Sequence, residues 1–374
     1  MNTKELFYLG LDVDDKKYHG FAIAVTTGEI IEFVSAPSAV ALRKKLVALG
    51  LKAEQLKICY EAGYLGFSLC RQLRKFGFNC EVIAPSLIPS CKGNKVKTDR
   101  LDAEKLARYY LGQLLTIVHV PDENQEADRD LLRSRKFMVD SLSSIKKHIN
   151  SMTRRLGWNY KQENGGQKNW TIAYVRWLKL KTAENKNLIV KDNLEILLRQ
   201  YESCNERINE YNNAIEKMCE QPQYKNQVSA LSSYRGIKTQ TALVLITELG
   251  DIRRFKHPRE LTSYAGLDII ERSSGGNERK FGISKDGNKF IRTAVVESCQ
   301  TVSRPVLVSR HISKRRLDVE AKYIDIADRC MKRLNDKSRR MLAKGKAKNK
   351  VKVACAREML GFIWESLTET TKSA

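Results

Sequence analysis

The sequence contains no long hydrophobic segment. No stretch approaches the roughly 18 uninterrupted apolar residues of a membrane-spanning helix, and no basic amphipathic helix stands out as a surface anchor. The residues from Met1 to Glu5 lead directly into a predicted strand, without the apolar core of a signal peptide. These absences predict a cytoplasmic protein, with a membrane surface as the weaker alternative for a partner.

Closely spaced cysteine or histidine pairs are also lacking. The nine cysteines include no CxxC motif, and the five histidines are scattered along the chain. An odd, unpatterned set of cysteines predicts buried thiols in a reducing compartment and argues against a structural zinc site.

Acidic residues are scarce relative to basic ones. The chain has 43 Asp and Glu against 67 Lys and Arg, which gives a formal net charge of +24 and a pI near 9.6. This excess predicts a polyanionic partner, with nucleic acid as the first candidate. A hydrophobic content of 42% over 374 residues is nevertheless enough for cores in two or three domains.

Residues 1–121 are predicted to form an α/β domain. Apolar runs bounded by turn residues predict strands at residues 6–13, 18–25, 29–34, 56–61 and 79–84. Helical spacing follows the third and fourth strands, and a further helix includes the motif from Asp99 to Asp102. A β-meander followed by alternating helices and strands predicts a mixed sheet.

Four carboxylates lie at the ends of these elements. Asp12 ends the first strand, Glu61 ends the fourth, and Asp99 and Asp102 share one face of a helix. Two aspartates three residues apart are common, and alone they are typical of solvated acids in a first helical turn. Four converging acids would repel one another without a divalent cation, and carboxylate oxygens suit Mg²⁺ or Mn²⁺. The sequence therefore predicts these four residues as metal ligands.

Residues 122–222 are predicted to contain two long helices. Apolar residues recur in steps of four and three over 127–156 and again over 190–218, with a polar Gly-Gly loop between the two segments. This pattern predicts an antiparallel coiled-coil hairpin. Its apolar seam would either pack within one chain or join subunits as a dimerisation arm, and the sequence leaves both alternatives open.

Residues 223–374 are predicted to be mostly helical and strongly basic. A glycine turn at Gly250-Asp251 separates two predicted helices, and the polar run Ser273 to Gly276 precedes a helix that starts at Lys289. Glycine pairs allow a backbone to approach a ligand, although most Ser-Gly segments are ordinary surface loops. Residues 337–352 contain many basic residues and no acid, which favours contact with phosphates. The residues predicted to bind nucleic acid are Lys97, Arg100, Arg235, Lys238, Arg279, Lys280, Lys285, Arg292, Arg339 and Arg340.

The order of these motifs resembles that of IS110-family transposases, in particular the IS1111-like group, over nearly the whole chain. The matching segments include Gly10-Leu11-Asp12-Val13, Glu61-Ala62-Gly63-Tyr64, Lys97-Thr98-Asp99-Arg100-Leu101-Asp102-Ala103, Glu248-Leu249-Gly250-Asp251 and Ser273-Ser274-Gly275-Gly276. The chain departs from the family pattern at Asp14-Asp15-Lys16, which adds acids beside Asp12. It departs again at Arg235-Gly236-Ile237-Lys238, where the family usually has Pro-Gly-Ile-Gly.

The resemblance implies an RNase H-like, RuvC-like N-terminal domain whose DEDD tetrad is Asp12, Glu61, Asp99 and Asp102. It further implies a recombinase that cuts and rejoins DNA, with Ser274 as a covalent nucleophile and Ser273 as the fallback. The implied partners are DNA, a guide RNA from the same genetic element and further copies of the chain in a dimer or tetramer.

Two alternative functions remain at this stage. A RuvC-like structure-specific nuclease would need only the acids and a metal ion, with water as the nucleophile. A decayed copy of a mobile element would bind nucleic acid without catalysis, although the intact acids and the Ser-Gly segment argue against it.

Overall fold

The computed structural model describes residues 5–89, 98–165, 168–274 and 277–372, excluding the side chains of 272–280. Contacts divide the chain into two compact units, Met1–Asp122 and Glu123–Ala374. The further division of the second unit into an arm and a C-terminal domain stays a prediction. Within the described residues, no helix is long and apolar enough to cross a membrane. The eight cysteines of the described segments are all free and buried.

The first unit is built on a mixed six-stranded sheet. Its strands are β1 (Phe7–Val13), β2 (Tyr18–Ala24), β3 (Ile30–Ser35), β4 (Leu56–Glu61), β5 (Asn79–Ile83) and β6 (Ile117–Val118). Its helices are α1 (Ala39–Ala48), α2 (Ser68–Lys75) and α3 (Asp99–Leu111). The predicted α/β class and the predicted strands are confirmed, within one or two residues at each end.

The strand order in the sheet is β3-β2-β1-β4-β5-β6. The meander β1-β2-β3 is antiparallel, whereas β4 and β5 run parallel to β1 and the short β6 is antiparallel to β5. Strands β1 and β4 are central, and their near-continuous apolar sequences are typical of strands covered on both faces.

Helices cover both faces of this sheet. On one face, Leu42 and Leu46 of α1 and Leu69 and Leu73 of α2 pack against the inward-pointing leucines of β1 and their neighbours. On the other face, α3 packs with Ala103 and Ala107 against β2, and with Leu106 against β4 and β5. The side-chain alternation along each strand therefore supplies two separate apolar layers.

The second unit is mainly helical. Its helices are α4 (Glu123–Arg155), α5 (Tyr160–Asn164), α6 (Ile172–Ala183), α7 (Leu188–Cys219), α8 (Pro222–Ser232), α9 (Thr239–Leu249), α10 (Pro258–Tyr264), α11 (Lys289–Ser298), α12 (Arg310–Arg315), α13 (Ala321–Ala343) and α14 (Lys348–Lys372). It also contains the hairpin of β7 (Ile269–Ser274) and β8 (Asn277–Ile283). The sequence pattern did not predict this hairpin, because its polar strands lack the alternating apolar residues of a half-buried strand.

The long helices α4 and α7 pack against each other in opposite directions. Their apolar seams meet within the chain: Leu142 and Ile149 of α4 share a core with Leu194 and Leu198 of α7. Helix α6, which the sequence analysis missed, packs Tyr174 and other apolar residues into this core. The two long helices are confirmed and this seam is intrachain, whereas a coiled coil that joins subunits stays a prediction.

The rest of the second unit shares one large core. Helices α8, α9, α10, α11, α13 and α14 surround it, and the ends of α4 and α7 contribute Leu132 and Ile215. The last helix, α14, packs back onto this core, since its Cys355, Leu360 and Ile363 are fully buried there.

Candidate active site

Two of the predicted carboxylates lie at the carboxyl ends of adjacent parallel strands. In the parallel pairing of β1 with β4, Leu11 lies opposite Tyr60. Asp12 is the residue after Leu11 and Glu61 is the residue after Tyr60, so the two acids lie side by side on neighbouring strands. Both strands are held in place by buried apolar side chains, such as Leu9 and Ile58, which pack in the same core on one face of the sheet. The topology thus brings these two acids to one edge, as the sequence analysis predicted.

Helix α3 brings a third carboxylate to the same edge. The helix lies directly on β1, because Gly10 has no side chain to hold it away. A Cβ at Gly10 would lie 2.3 Å from the Ala103 carbonyl oxygen and 2.4 Å from the Ala107 amide nitrogen. Thr98 caps the helix by accepting a hydrogen bond from the Leu101 amide at 3.3 Å, and Asp102 follows in the first turn.

Asp12, Glu61 and Asp102 line one cavity of about 230 Å³. Within residues 5–89, 98–165, 168–274 and 277–372, no three Asp, Glu, His or Cys side chains are close enough to share an ion as they are oriented. The three carboxylates nevertheless offer the hard oxygen donors that Mg²⁺ and Mn²⁺ prefer, from rigid strand and helix ends. By donor chemistry the cavity suits a divalent cation, provided that the side chains rotate toward one another.

The fourth predicted ligand, Asp99, is not among the residues that line this cavity. Its carboxylate lies 3.4 Å from the ammonium of Lys17, which immediately precedes β2, and 3.5 Å from the imidazole of His19, which lies in β2. Its side chain is 54% exposed, so the ion pair with Lys17 is solvated and easily exchanged. The structure therefore places three of the four acids around one cavity, whereas the fourth, Asp99, forms an ion pair with Lys17.

Lys105 and Tyr64 also line the acidic cavity. Lys105 lies three residues after Asp102 on α3, so helical spacing could have identified it from the sequence. Tyr64 is 74% exposed, and its hydroxyl accepts a 3.1 Å hydrogen bond from the backbone amide of Asp15. A cation and an exposed aromatic ring thus accompany the carboxylates, as a site for a phosphodiester and a base would require.

Ser274 is the last residue of β7, where its backbone is paired in register with Asn277 of β8. Ser273 is paired with Glu278 in the same way. Gly275 and Gly276 lie outside the described residues, as do the side chains of the two serines and of Arg279 and Lys280. Ser273 and Ser274 are therefore the last two residues of β7, where its pairing with β8 ends.

An ion pair with a buried carboxylate fixes the segment that follows this hairpin. Glu248 is only 2% exposed at the end of α9, and its carboxylate accepts two hydrogen bonds from Arg133 of α4 at 2.8 and 2.9 Å. The side-chain amide of Asn288 donates to the same carboxylate at 2.7 Å. The side-chain oxygen of Asn288 caps α11 by accepting hydrogen bonds from the backbone amides of Phe290 and Ile291. The Glu248 pair raises the pKa of Arg133, which keeps the guanidinium charged.

The base of the hairpin is also bound to the end of α10. The Asn288 amide donates to the Tyr264 carbonyl at 2.7 Å, and the Lys285 amide donates to the Gly266 carbonyl at 3.1 Å. Arg292, a predicted nucleic-acid contact, donates to the Ala265 carbonyl at 2.8 Å. Arg133 and Glu248 were not predicted as a pair, because residues 115 apart in sequence carry no local signal of contact.

Several predicted nucleic-acid contacts already have partners inside the protein. Arg100 forms a two-pronged ion pair with Glu32, with both nitrogen–oxygen distances at 2.6 Å, and this holds the pKa of the Glu32 carboxyl below its ordinary value. Arg235 donates to the backbone carbonyls of Arg304, Pro305 and Leu307. These two arginines stabilise the fold as described, and contact with a phosphate would require them to exchange partners.

Four other predicted contacts remain on the surface. Lys238 precedes α9 beside Gly236, whose φ of +89° and close approach to Ser298 require glycine. Lys285, Arg339 and Arg340 are also exposed. Lys97 lies outside the described residues.

Two family models match separate parts of the chain. A model for DEDD transposases of the IS110 type, described as a transposase, matches residues 9–156. The model described as the transposase IS116/IS110/IS902 family matches residues 228–311. The first match includes all four predicted acids, and the second includes Glu248, Ser274 and Asn288.

Curated proteins match over most of the chain. A putative transposase of Sinorhizobium fredii, y4qE, is 32% identical over 371 residues, which is 98% of this chain and 90% of that protein. The transposase for insertion sequence element IS1533 of Leptospira borgpetersenii is 26% identical, over 92% of this chain and 99% of that protein. The transposase for IS1111A of Coxiella burnetii is 24% identical, over 80% of this chain and 74% of that protein.

Proposed function

Because the chain belongs to the IS116/IS110/IS902 family of transposases and is therefore an enzyme of DNA transposition, we propose that it cleaves and rejoins DNA with two sets of side chains. The first set is the DEDD tetrad on an RNase H-like, RuvC-like domain, and the second is the serine at the end of β7. The observation that carries the proposal is the shared cavity of Asp12, Glu61 and Asp102.

The acidic cavity supplies the electrostatics of strand cleavage in this proposal. Asp12, Glu61 and Asp102 would hold one or two divalent cations, with Asp99 joining after it leaves Lys17. The bound cation, Mg²⁺ or Mn²⁺, would supply Lewis-acid polarisation of the scissile phosphodiester. Lys105 would contact a non-bridging phosphate oxygen, and Tyr64 would stack on a neighbouring base.

Ser274 would be the nucleophile that attacks the DNA phosphorus. A bond forms between the serine oxygen and phosphorus, and one phosphorus–sugar oxygen bond breaks. The serine hydroxyl loses its proton and the departing sugar oxygen gains one, so that the number of phosphodiester bonds is unchanged. A covalent serine link would keep the strand end from diffusing. It would also conserve the energy of the phosphodiester bond for rejoining, which hydrolysis would lose.

The tetrad is tested with Asp102→Asn. We expect strand cleavage in Mg²⁺ to be lost, because the Asp102 carboxylate would contribute to cation binding. DNA binding should be retained, because it depends on the basic residues, which this variant does not change. Glu104→Gln is the matched control on the same helix, since Glu104 pairs with Arg108 and does not line the cavity. Recombination at the wild-type rate by Asp102→Asn would remove the tetrad from the mechanism.

A guide RNA is the partner that the family resemblance implies. Base pairing would then choose the DNA sites while the protein contacts backbones and shape, as in other RNA-guided systems. The net charge of +24 supports simultaneous binding of several strands. Non-coding RNA from the parent element should bind more tightly than scrambled RNA of equal length. Equal affinities at physiological salt would leave only non-specific binding of polyanions.

A RuvC-like hydrolytic nuclease is the second candidate. The same cavity supports it, because metal-dependent hydrolysis needs no serine. The two candidates differ in the covalent protein–DNA adduct, which only the recombinase would form.

A further inference from the structure

The second unit contains a groove that none of the proposed chemistry uses. One cavity of about 880 Å³ lies between α4 and α7, and another of about 590 Å³ lies between α4, α9 and α11. Phe137 and Asp140 of α4 line both cavities. The two cavities therefore adjoin each other at Phe137 and Asp140, and we call them together the α4 groove.

The α7 side of the α4 groove presents a row of phosphate-binding side chains. Arg199, Ser203 and Arg207 line it at spacings of four residues, which places them on one helix face. The two arginines are therefore roughly 12 Å apart along the helix axis. Both are exposed. An apolar partner would have to bury these guanidinium groups unpaired, which is strongly unfavourable, whereas a phosphate backbone satisfies them.

Carboxylates do not cancel this charge. Among the described residues that line the α7 side, Asp140 is the only acid, and its carboxylate lies 2.6 Å from the ammonium of Lys136. The α9 and α11 side has two further acids: Glu248, which is paired with Arg133, and the exposed Glu297, which accepts a 3.2 Å hydrogen bond from the side chain of Gln300. Lys289 is exposed there, with its ammonium 5.4 Å from the ring centre of Phe290. Within the described part of the chain, the two cavities together are lined by six basic residues and three acids, so that basic residues outnumber acids on both sides of the groove.

Phe137 stands between these two charged segments. Its side chain is 69% exposed, although neighbouring apolar residues of α4 such as Leu142 and Ile145 are buried in the arm core. An exposed aromatic ring flanked by cations and hydroxyls is the arrangement that proteins use for single-stranded nucleic acid, in which bases stack while cations follow the backbone. A duplex would hold its bases inside and leave the ring without a stacking partner.

We propose that the α4 groove binds a single strand of nucleic acid, with phosphates on Arg199 and Arg207 and a base stacked on Phe137. This site goes beyond the acidic cavity and the Ser274 hairpin, because none of its residues belongs to either. It holds a displaced DNA strand or an unpaired RNA segment, which share the same chemistry.

The test measures binding of the full chain to short labelled oligonucleotides by fluorescence anisotropy at physiological salt. Replacing Phe137 by Leu should weaken single-strand binding roughly 5- to 100-fold, whereas Phe137→Tyr should retain it, because tyrosine preserves stacking. Arg199→Gln with Arg207→Gln should reduce the slope of log affinity against log salt by about 1.4, since each lost phosphate contact removes about 0.7. Single-stranded RNA and single-stranded DNA are separate arms, and the stronger of the two identifies the occupant.

The control is Arg176→Gln with Lys217→Gln, which removes the same charge from exposed positions that do not line the groove. Its salt slope should remain that of the wild type. An equal reduction of the salt slope in the control and groove variants would show that only the overall charge matters, and this would overturn the site. Retention of binding by Phe137→Leu, or equal sensitivity with duplex DNA, would also overturn it. No cleavage step enters these measurements, so their failure would leave the proposed chemistry standing.

Discussion

The side-chain amide of Asn288 donates a 2.7 Å hydrogen bond to the buried carboxylate of Glu248. Through this contact, the residue that caps α11 is joined to the end of α9. Because Asn288 follows the β7–β8 hairpin by five positions, the same contact sets where the hairpin leaves the helical core. Glu248 therefore acts as a positioning residue for the serine hairpin in our proposal.

Replacing Glu248 by Gln should destabilise the second unit by about 1–3 kcal/mol, because the half-exposed Arg133 and the buried Arg129 would lose their anionic partner. Asn288→Ser should cost less, since serine can still cap α11 although it cannot reach Glu248. Urea denaturation measures both variants, with the solvent-exposed Glu220→Gln as the control. For Asn288→Ser, we also expect slower strand joining with unchanged DNA affinity. A loss of affinity without slower joining would argue against positioning.

Gly10 should be intolerant of any side chain. In Gly10→Ala, the new methyl group would collide with the backbone of α3, and overpacking of this kind costs about 1–3 kcal/mol. The helix would move away from β1, which would also separate Asp102 from Asp12 and reduce cleavage. Thermal denaturation and a cleavage assay measure the two effects. Gly361→Ala is the control, since a Cβ there has no atom within 4 Å and alanine favours helix α14. Unchanged stability of Gly10→Ala would contradict the close packing.

The serine nucleophile is tested by trapping DNA on the protein. Wild type, Ser273→Ala and Ser274→Ala are incubated with labelled DNA and separated on denaturing gels. We expect an adduct in wild type and in Ser273→Ala, and none in Ser274→Ala, because the covalent bond requires the Ser274 hydroxyl. An adduct lost only in Ser273→Ala would assign the role to that residue. No adduct in any of the three proteins would favour the hydrolytic nuclease.

The carboxyl of Glu358 gives the second unit a measurable pH dependence. Burial acts to raise its pKa, but hydrogen bonds from Arg333 and Lys337 outweigh burial and hold the pKa below the ordinary 4.5. A depressed folded-state pKa stabilises the fold above pH 4.5, and this stability is lost as the pH falls through the depressed value. Glu358→Gln should therefore be less stable at pH 7, by no more than about 1 kcal/mol because the pair is solvated. The difference should vanish in acid. A constant difference at all pH values would exclude the ionic origin.

Self-association is tested on the exposed face of α7. Ile189 and Ile196 are 81% and 55% exposed and share one helix face, whereas Leu194 and Leu198 pack inside the chain. Ile189→Asp with Ile196→Asp should lower the mass measured by light scattering while the helical circular dichroism is unchanged, if this face joins subunits as we expect. An unchanged oligomeric mass would exclude this face.

Local sequence patterns predicted most of the elements. Strands β1 and β4, the long helices α4 and α7 and the start of α11 all follow from periodic apolar residues and turn signals. The polar hairpin β7–β8 was missed, because its strands have no apolar face that could mark them. Helix α6 was also missed, because its own apolar residues lie on several sides of the helix and do not form one apolar stripe.

The candidate site was predictable in its residue types and only partly in its arrangement. Asp12 and Glu61 could be placed together, since carboxyl ends of parallel strands meet at one sheet edge. The pairing of Asp99 with Lys17 could not be predicted, because it depends on how the turn after β1 approaches α3. Arg100 likewise meets Glu32 only through the fold, 68 residues away in sequence.

The sequence by itself determined the α/β class of the first unit, the basic charge and the identities of the acidic and serine residues. These properties depend on composition and on periods of two and 3.6 residues, which are local. Only the tertiary structure decided which carboxylates share a cavity, that Glu248 binds both Arg133 and Asn288, and that Phe137 lies exposed between two cavities. Contacts between distant residues depend on how whole helices and strands pack, and no local period encodes that packing.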